Sequence, residues 1–245
     1  MPDPSNDLPA WLSQPVPGPG ATSGGWERVR GLWPETEILH RCPQDPVHHA
    51  EGDVGTHTSL VLDRVVGDPA WRALPAATRA TLWWAAAFHD AGKPSTTEIQ
   101  PDGRIGSPGH SVAGEKIARR LLWESDAPVR FREDVCSVVR LHQVPFWLFE
   151  RADWRKTAIR AAQRCDPGLL EIHVRADARG RTCPDAGELQ DRISLSMAAF
   201  EEAGTKDGPF PFANDESRVA FFEKDDRDPH HAAHEDHRCT VTLVC

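Results

Sequence analysis

Apolar residues recur at three- and four-residue intervals through most of the chain, the period of helices that bury one face. Leu60, Val61, Val65 and Val66 give a helix over 57–67. Over 76–91, Leu82, Trp83, Ala86 and Phe88 leave almost no polar side, so this second helix is expected at the centre. Val112, Ala113, Ile117, Ala118, Leu121 and Leu122 give a third over 110–123, and Val135, Val138, Val139 and Leu141 a fourth over 131–142. Further helices are predicted over 153–164, 168–179, 185–203 and 216–222. Between the second and third, Pro94 to Pro108 is rich in Pro, Gly and Thr and reads as a loop with room for a short ribbon. Alternation of strands with helices is absent, which points to an all-α fold.

Both ends break the pattern. Residues 1–31 contain Pro15-Val16-Pro17-Gly18-Pro19-Gly20 and Gly24-Gly25, a composition expected to form a flexible tail, with Trp11, Trp26 and Trp33 as possible anchors. The main domain is then expected over 32–222. Residues 223–238 are charged and His-rich and read as a solvated linker. Thr240-Val241-Thr242-Leu243-Val244-Cys245 has the character of a buried parallel strand, too little to stand alone.

A hydrophobic content of 39% allows a real core, while no apolar run approaches a membrane span and the N-terminus lacks the layout of a secretion signal. A cytoplasmic protein without a membrane partner is expected. The six cysteines stand singly, which excludes C-x-x-C metal knuckles and leaves reduced thiols as the expectation. A net charge of -9 counts against a long nucleic-acid groove, whose affinity comes from Lys and Arg on phosphates, but not against a grip on one end.

The second helix ends in Phe88-His89-Asp90-Ala91-Gly92-Lys93-Pro94, which puts a histidine and a carboxylate at the inner end of an apolar run. Such a pair must be compensated, because an unpaired polar group in a dry interior costs several kcal/mol. A divalent metal compensates both. His57 opens the preceding helix, His110 opens the next, His142 closes the one after, and Asp177 lies within Arg175-Ala176-Asp177-Ala178-Arg179-Gly180-Arg181.

This order, H, HD, H, H, D, together with Gly92-Lys93-Pro94 and the Ala-Asp-Ala-Arg-Gly-Arg run, resembles the HD superfamily of metal-dependent phosphohydrolases over about residues 35–222. The resemblance implies an all-α HD-domain helical bundle. It implies His57, His89, Asp90 and Asp177 as ligands of a first metal, with His110 and His142 completing a second site bridged by Asp90. Alternatives stay open at two positions: His110 as a donor to substrate phosphate, and His142 as an ordinary core histidine. The mixed N/O set suits one or two divalent transition metals (Mn, Fe, Co, Ni or Zn) better than Mg or Ca. Asp90 and Lys93 are the expected catalytic residues, and Lys93 and Arg181 the expected phosphate contacts, each with a solvated or ion-paired alternative.

The loop Cys42 to Val54 resembles the one preceding the HD domain of CCA-adding tRNA nucleotidyltransferases, carried by His49, Glu51 and Asp53. It makes His49 a candidate for substrate binding and Asp53 a helix cap. The terminal strand resembles the first strand of a P-loop kinase, and an HD domain before such a strand resembles the HD-domain polynucleotide kinases that heal nucleic-acid ends. The implied activity is hydrolysis of a 2′,3′-cyclic phosphate or terminal 2′- or 3′-phosphate at an RNA or DNA 3′ end, with the kinase domain as the missing partner. Two alternatives compete: a nucleotidase or cyclic-nucleotide phosphodiesterase acting on free nucleotides, and a non-catalytic nucleotide-binding module.

Overall fold

A computed structural model describes residues 8–203. The expected helix over 216–222, the His-rich linker, the terminal strand and the kinase boundary lie outside the described residues. Chain order is α1 (Ala10–Ser13), α2 (Trp26–Leu32), a 3-10 segment (Pro34–Arg41), α3 (Val54–Gly67), α4 (Pro69–Ala73), α5 (Ala76–Phe88) and α6 (Lys93–Thr96). A two-stranded antiparallel ribbon follows, β1 (Glu98–Ile99) and β2 (Ile105–Gly106), pairing Glu98 with Gly106 and Ile99 with Ile105. After it come α7 (His110–Glu124), α8 (Val129–Leu141), α9 (Val144–Trp147), a 3-10 turn (Leu148–Glu150), α10 (Trp154–Arg164), α11 (Pro167–Gly180) and α12 (Ala186–Glu202). The fold is all-α, as the periodicity predicted.

Helix α5 is the axis. Every residue from Ala80 to Phe88 is buried, and the helix packs on α3, α8 and α11. These are the helices that carry His57, His142 and Asp177. Helix α7, with His110 at its first position, packs chiefly on α8. The aromatic end of α5 binds Trp33: its ring lies 4.7 Å from that of Trp84 and 5.2 Å from that of Phe88.

Residues 8–31 correct the expectation of a flexible tail. Leu12 is fully buried and its carbonyl accepts from Trp84 Nε1 at 2.9 Å. Trp83 Nε1 donates to the Gly24 carbonyl at 2.7 Å, and the Gly24 amide donates to Asp63 Oδ1 at 2.6 Å. Gly24 lies so close to α3 that a Cβ there would run into the Leu62 backbone. The Pro/Gly composition sets the path of the segment, while two indole N–H groups, which need partners once buried, fasten it.

Asp53 caps α3 as expected, accepting from the Thr56 amide at 2.8 Å. Helix α5 stops at Phe88, earlier than the expected 91, and the chain turns through His89, Asp90 and Ala91 before α6. Gly92 permits that turn: a side chain there would strike the His110 carbonyl oxygen and the Gly114 amide. The close approach brings the start of α7, and His110 with it, beside Asp90.

Candidate metal centre

Six side chains from five separate stretches meet at Asp90. Its Oδ2 lies 3.2 Å from His89 Nε2 and 3.8 Å from His57 Nε2, and its Oδ1 lies 3.4 Å from His110 Nε2 and 3.8 Å from His142 Nε2. Asp177 joins through His57, whose Nε2 is 3.2 Å from Asp177 Oδ1. The site is buried: His57, His89 and His142 are fully enclosed, Asp90 and Asp177 nearly so, and His110 is largely covered.

The imidazoles are oriented alike. Nδ1 of His89 faces the Ala86 carbonyl at 2.8 Å, Nδ1 of His110 the Ser107 carbonyl at 2.7 Å, and Nδ1 of His142 the Val139 carbonyl at 2.7 Å. A carbonyl accepts only, so each Nδ1 donates and each Nε2 is the atom turned to the centre, carrying a lone pair whenever its ring is neutral. His57 turns Nδ1 to Glu51 Oε1, 2.9 Å away.

This arrangement supplies a direct test of whether a cation fits. His110 Nε2 and His142 Nε2 lie 3.1 Å apart. Burial pushes the pKa of both below the ordinary histidine value, so near neutral pH two lone pairs point at each other beside a carboxylate. Neither Asp90 oxygen, nor His89 Nε2, receives a well-aligned hydrogen bond. Lone pairs of two imidazoles and a carboxylate converging in a buried pocket, with the Lys93 ammonium reaching only Asp90 Oδ2 at its rim, are what a divalent cation satisfies. The donor groups Asp90–His110–His142 and His57–His89–Asp90 each close within 4.8 Å, two overlapping sets that share Asp90. Mixed imidazole and carboxylate donors suit Mn, Fe, Co, Ni or Zn.

The electrostatics agree. Burial alone would raise the pKa of Asp90, but the charges of His89 and Lys93 pull it well below the ordinary value. Asp177 is likewise held down against burial, chiefly by Arg181. Burial opposes charge on His89, yet Asp90 beside it keeps its pKa raised.

Lys93 sits at the rim, its ammonium 2.9 Å from Asp90 Oδ2 and donating to Gln44 Oε1 at 2.7 Å. Arg181, expected to meet phosphate, commits two donors to Asp177, Nε to Oδ1 and Nη2 to Oδ2, both at 3.1 Å, and lays its guanidinium 4.7 Å from the Phe146 ring centre. Its partner is Asp177, four residues earlier, which is the ion-paired alternative. His49 reaches the site's edge, its ring 4.8 Å from that of His57 and its Nδ1 2.7 Å from Glu51 Oε1. Burial lowers its pKa to about 4, so it is neutral near pH 7.

Two residues, Gln44 and His173, escape sequence reasoning, and a third, Glu51, is marked there by the likeness of its loop without a role. Glu51 faces both His49 and His57 and accepts from the Thr182 amide at 2.7 Å, tying the loop before α3 to the end of α11. Gln44 anchors Lys93. His173 is fully buried, its ring 5.5 Å from that of His89. Spacing alone could have flagged His173, four residues before Asp177 and therefore on the same face.

Residues 64–176 match the HD domain. That span contains His89, Asp90, Lys93, His110 and His142, while His57 and Asp177 flank it. A multifunctional CCA protein of Halorhodospira halophila is 39% identical over 182 residues, covering 69% of this chain and 39% of the relative. One from Actinobacillus pleuropneumoniae is 41% identical over 163 residues, 61% of this chain and 36% of the relative, and one from Methylococcus capsulatus is 34% identical over 167 residues, 62% and 35%. The chain thus spans well under half the length of these relatives.

Proposed function

Since the chain belongs to the HD domain family, whose members are metal-dependent hydrolases, we propose that it hydrolyses phosphoesters at polynucleotide 3′ ends, opening a 2′,3′-cyclic phosphate or removing a terminal 2′- or 3′-phosphate. The observation that carries this reading is the convergence of His57, His89, Asp90, His110 and His142 Nε2 or carboxylate atoms on one point, with Asp177 one contact away. In it, these six residues hold one or two divalent transition metals.

When bound, such cations supply Lewis acidity and make water nucleophilic near neutral pH. The chain does the rest. Asp90 presents one oxygen to each half of the cluster, and Arg181 fixes the plane of the Asp177 carboxylate through its two donors. Lys93, held by Gln44 and Asp90, offers its remaining N–H to a phosphoryl oxygen where negative charge accumulates. His49 donates through Nδ1 to Glu51, which leaves Nε2 to accept from a sugar hydroxyl at the rim. The apolar shell of α5 and α8 keeps bulk water from the charged groups.

A polynucleotide end is favoured as substrate by the likeness to multifunctional CCA proteins, and a net charge of -9 restricts such a substrate to a grip on one terminus. Free nucleotides are the second reading, favoured by the same acidity. The test is turnover of an RNA oligonucleotide ending in 2′,3′-cyclic phosphate against free 2′,3′-cyclic AMP, across Mn, Co, Ni and Zn, with a chelator control. Metal-dependent opening of the oligonucleotide in preference to the free nucleotide supports the proposal. Preference for the free nucleotide replaces it with the second reading, and no metal-dependent hydrolysis of either refutes both.

A further inference from the structure

Among the described residues, His173 is a buried imidazole near the centre to which the reading above gives no task. It lies on α11, one turn before Asp177, and is completely enclosed. Neither of its ring nitrogens meets a hydrogen-bond partner among the described residues. A buried imidazole carries at least one donor and one acceptor, and leaving both unmet is costly, whereas an apolar ring of similar size would have no such penalty. A side chain that only filled space would be better apolar.

Its position says what it serves. Its ring centre is 5.5 Å from that of His89 and 6.1 Å from that of His142. Rings within the cluster itself are similarly spaced: His57 to His89 is 5.4 Å, His89 to His142 is 5.3 Å and His110 to His142 is 5.1 Å. Yet His173 stands outside the donor groups that close within 4.8 Å, so it is one step back from them.

We propose that His173 is a positioning residue of this centre, its imidazole hydrogen-bonding the solvent that a cation held at His57, His89 and Asp90 brings with it. Water in a buried polar niche needs two to four partners, and two ring nitrogens with none are suited to that. Partners at this remove set the orientation and affinity of metal sites, and losing one lowers affinity by roughly 10- to 100-fold. The inference rests on the metal-centre reading above, and the experiment separates the two.

Cobalt(II) is titrated into the parent chain, His173→Phe and His173→Asn, following the visible absorption of the metal and the melting temperature of the metal-free protein. The expected result is cobalt binding by the parent and an affinity roughly 10- to 100-fold lower in His173→Phe with an altered spectrum. The metal-free His173→Phe protein melts at or above the parent's temperature, and His173→Asn keeps part of the parent's affinity. Parent-like affinity and spectrum in His173→Phe would overturn the assignment while leaving the metal centre intact. If His173→Phe does not fold, His173→Asn decides: a parent-like spectrum and affinity overturn the assignment, and a change in both supports it. A parent chain that binds no cobalt overturns the centre and the role of His173 together.

Discussion

Glu51→Gln isolates how the centre is held rather than what it is made of. The Glu51 side chain is only 3% exposed and meets three groups: His49 Nδ1 at 2.7 Å, His57 Nδ1 at 2.9 Å and the Thr182 amide at 2.7 Å. Those partners hold its pKa below the ordinary glutamate value even though burial pushes the other way, so it is a carboxylate at neutral pH. Glutamine has the same shape but one acceptor oxygen. If that oxygen faces the two histidines, the amide NH₂ confronts the Thr182 N–H, donor against donor; reversed, it confronts the imidazoles. At least one charge-assisted bond is therefore lost whichever way the amide turns, worth about 1–3 kcal/mol of stability. For a chain of this length that is a fall in Tm of roughly 2–12 °C. His57 also loses the carboxylate that makes its Nε2 a better donor, so cation affinity should drop roughly 10- to 100-fold, or about 1.4–2.7 kcal/mol. Calorimetric titration with manganese and a thermal melt measure both. Unchanged affinity and unchanged Tm together would refute the claim that Glu51 orients His57.

Other outcomes are equally specific. Leu12→Ala removes a fully buried side chain and should cost about 2–5 kcal/mol in chemical denaturation; an unshifted midpoint would mean that residues 8–31 do not pack as described. Lys93→Ala should lower kcat/KM by about 10²–10³ while cation affinity holds or rises, since a competing positive charge 2.9 Å from Asp90 is gone; parent-like turnover would remove Lys93 from the mechanism. Away from the site, Glu133 is held below its usual pKa of 4.5 against burial, first by Arg119 and then by Arg132. A depressed carboxylate pKa adds stability that is present above pH 4.5 and lost as pH falls through the folded-state value. Glu133→Gln should therefore narrow the stability gap between pH 7 and pH 3, and an unchanged gap would contradict the pairing.

Much of this was legible in residue order because helical periodicity and ligand order are local signals. The run from Leu82 to Phe88 announces a buried helix, Asp53 a cap, and His89-Asp90 a polar pair at a buried end. What escaped depends on distant partners. Residues 8–31 look like a linker because Pro and Gly dominate them, yet Trp83 and Trp84, some 60 residues away, hold them down by hydrogen bonds to backbone carbonyls. Arg181 stays open between phosphate and an ion pair in the sequence, because several basic residues crowd Arg175 to Arg181 and only the fold shows which of them meets Asp177. Glu51 and Gln44 sit in a loop without periodicity, where nothing in the sequence tells a solvated carboxylate or amide from one folded against a histidine or a lysine.

The central claim is that six dispersed side chains form one cation site, and the cation content of the folded chain tests it most directly. Loaded with manganese or cobalt, freed of excess ion and analysed for metal, the parent should retain one or two equivalents per chain and Asp90→Asn should lose most of them. A parent that retains none, or an Asp90→Asn chain that retains as much as the parent, would contradict it.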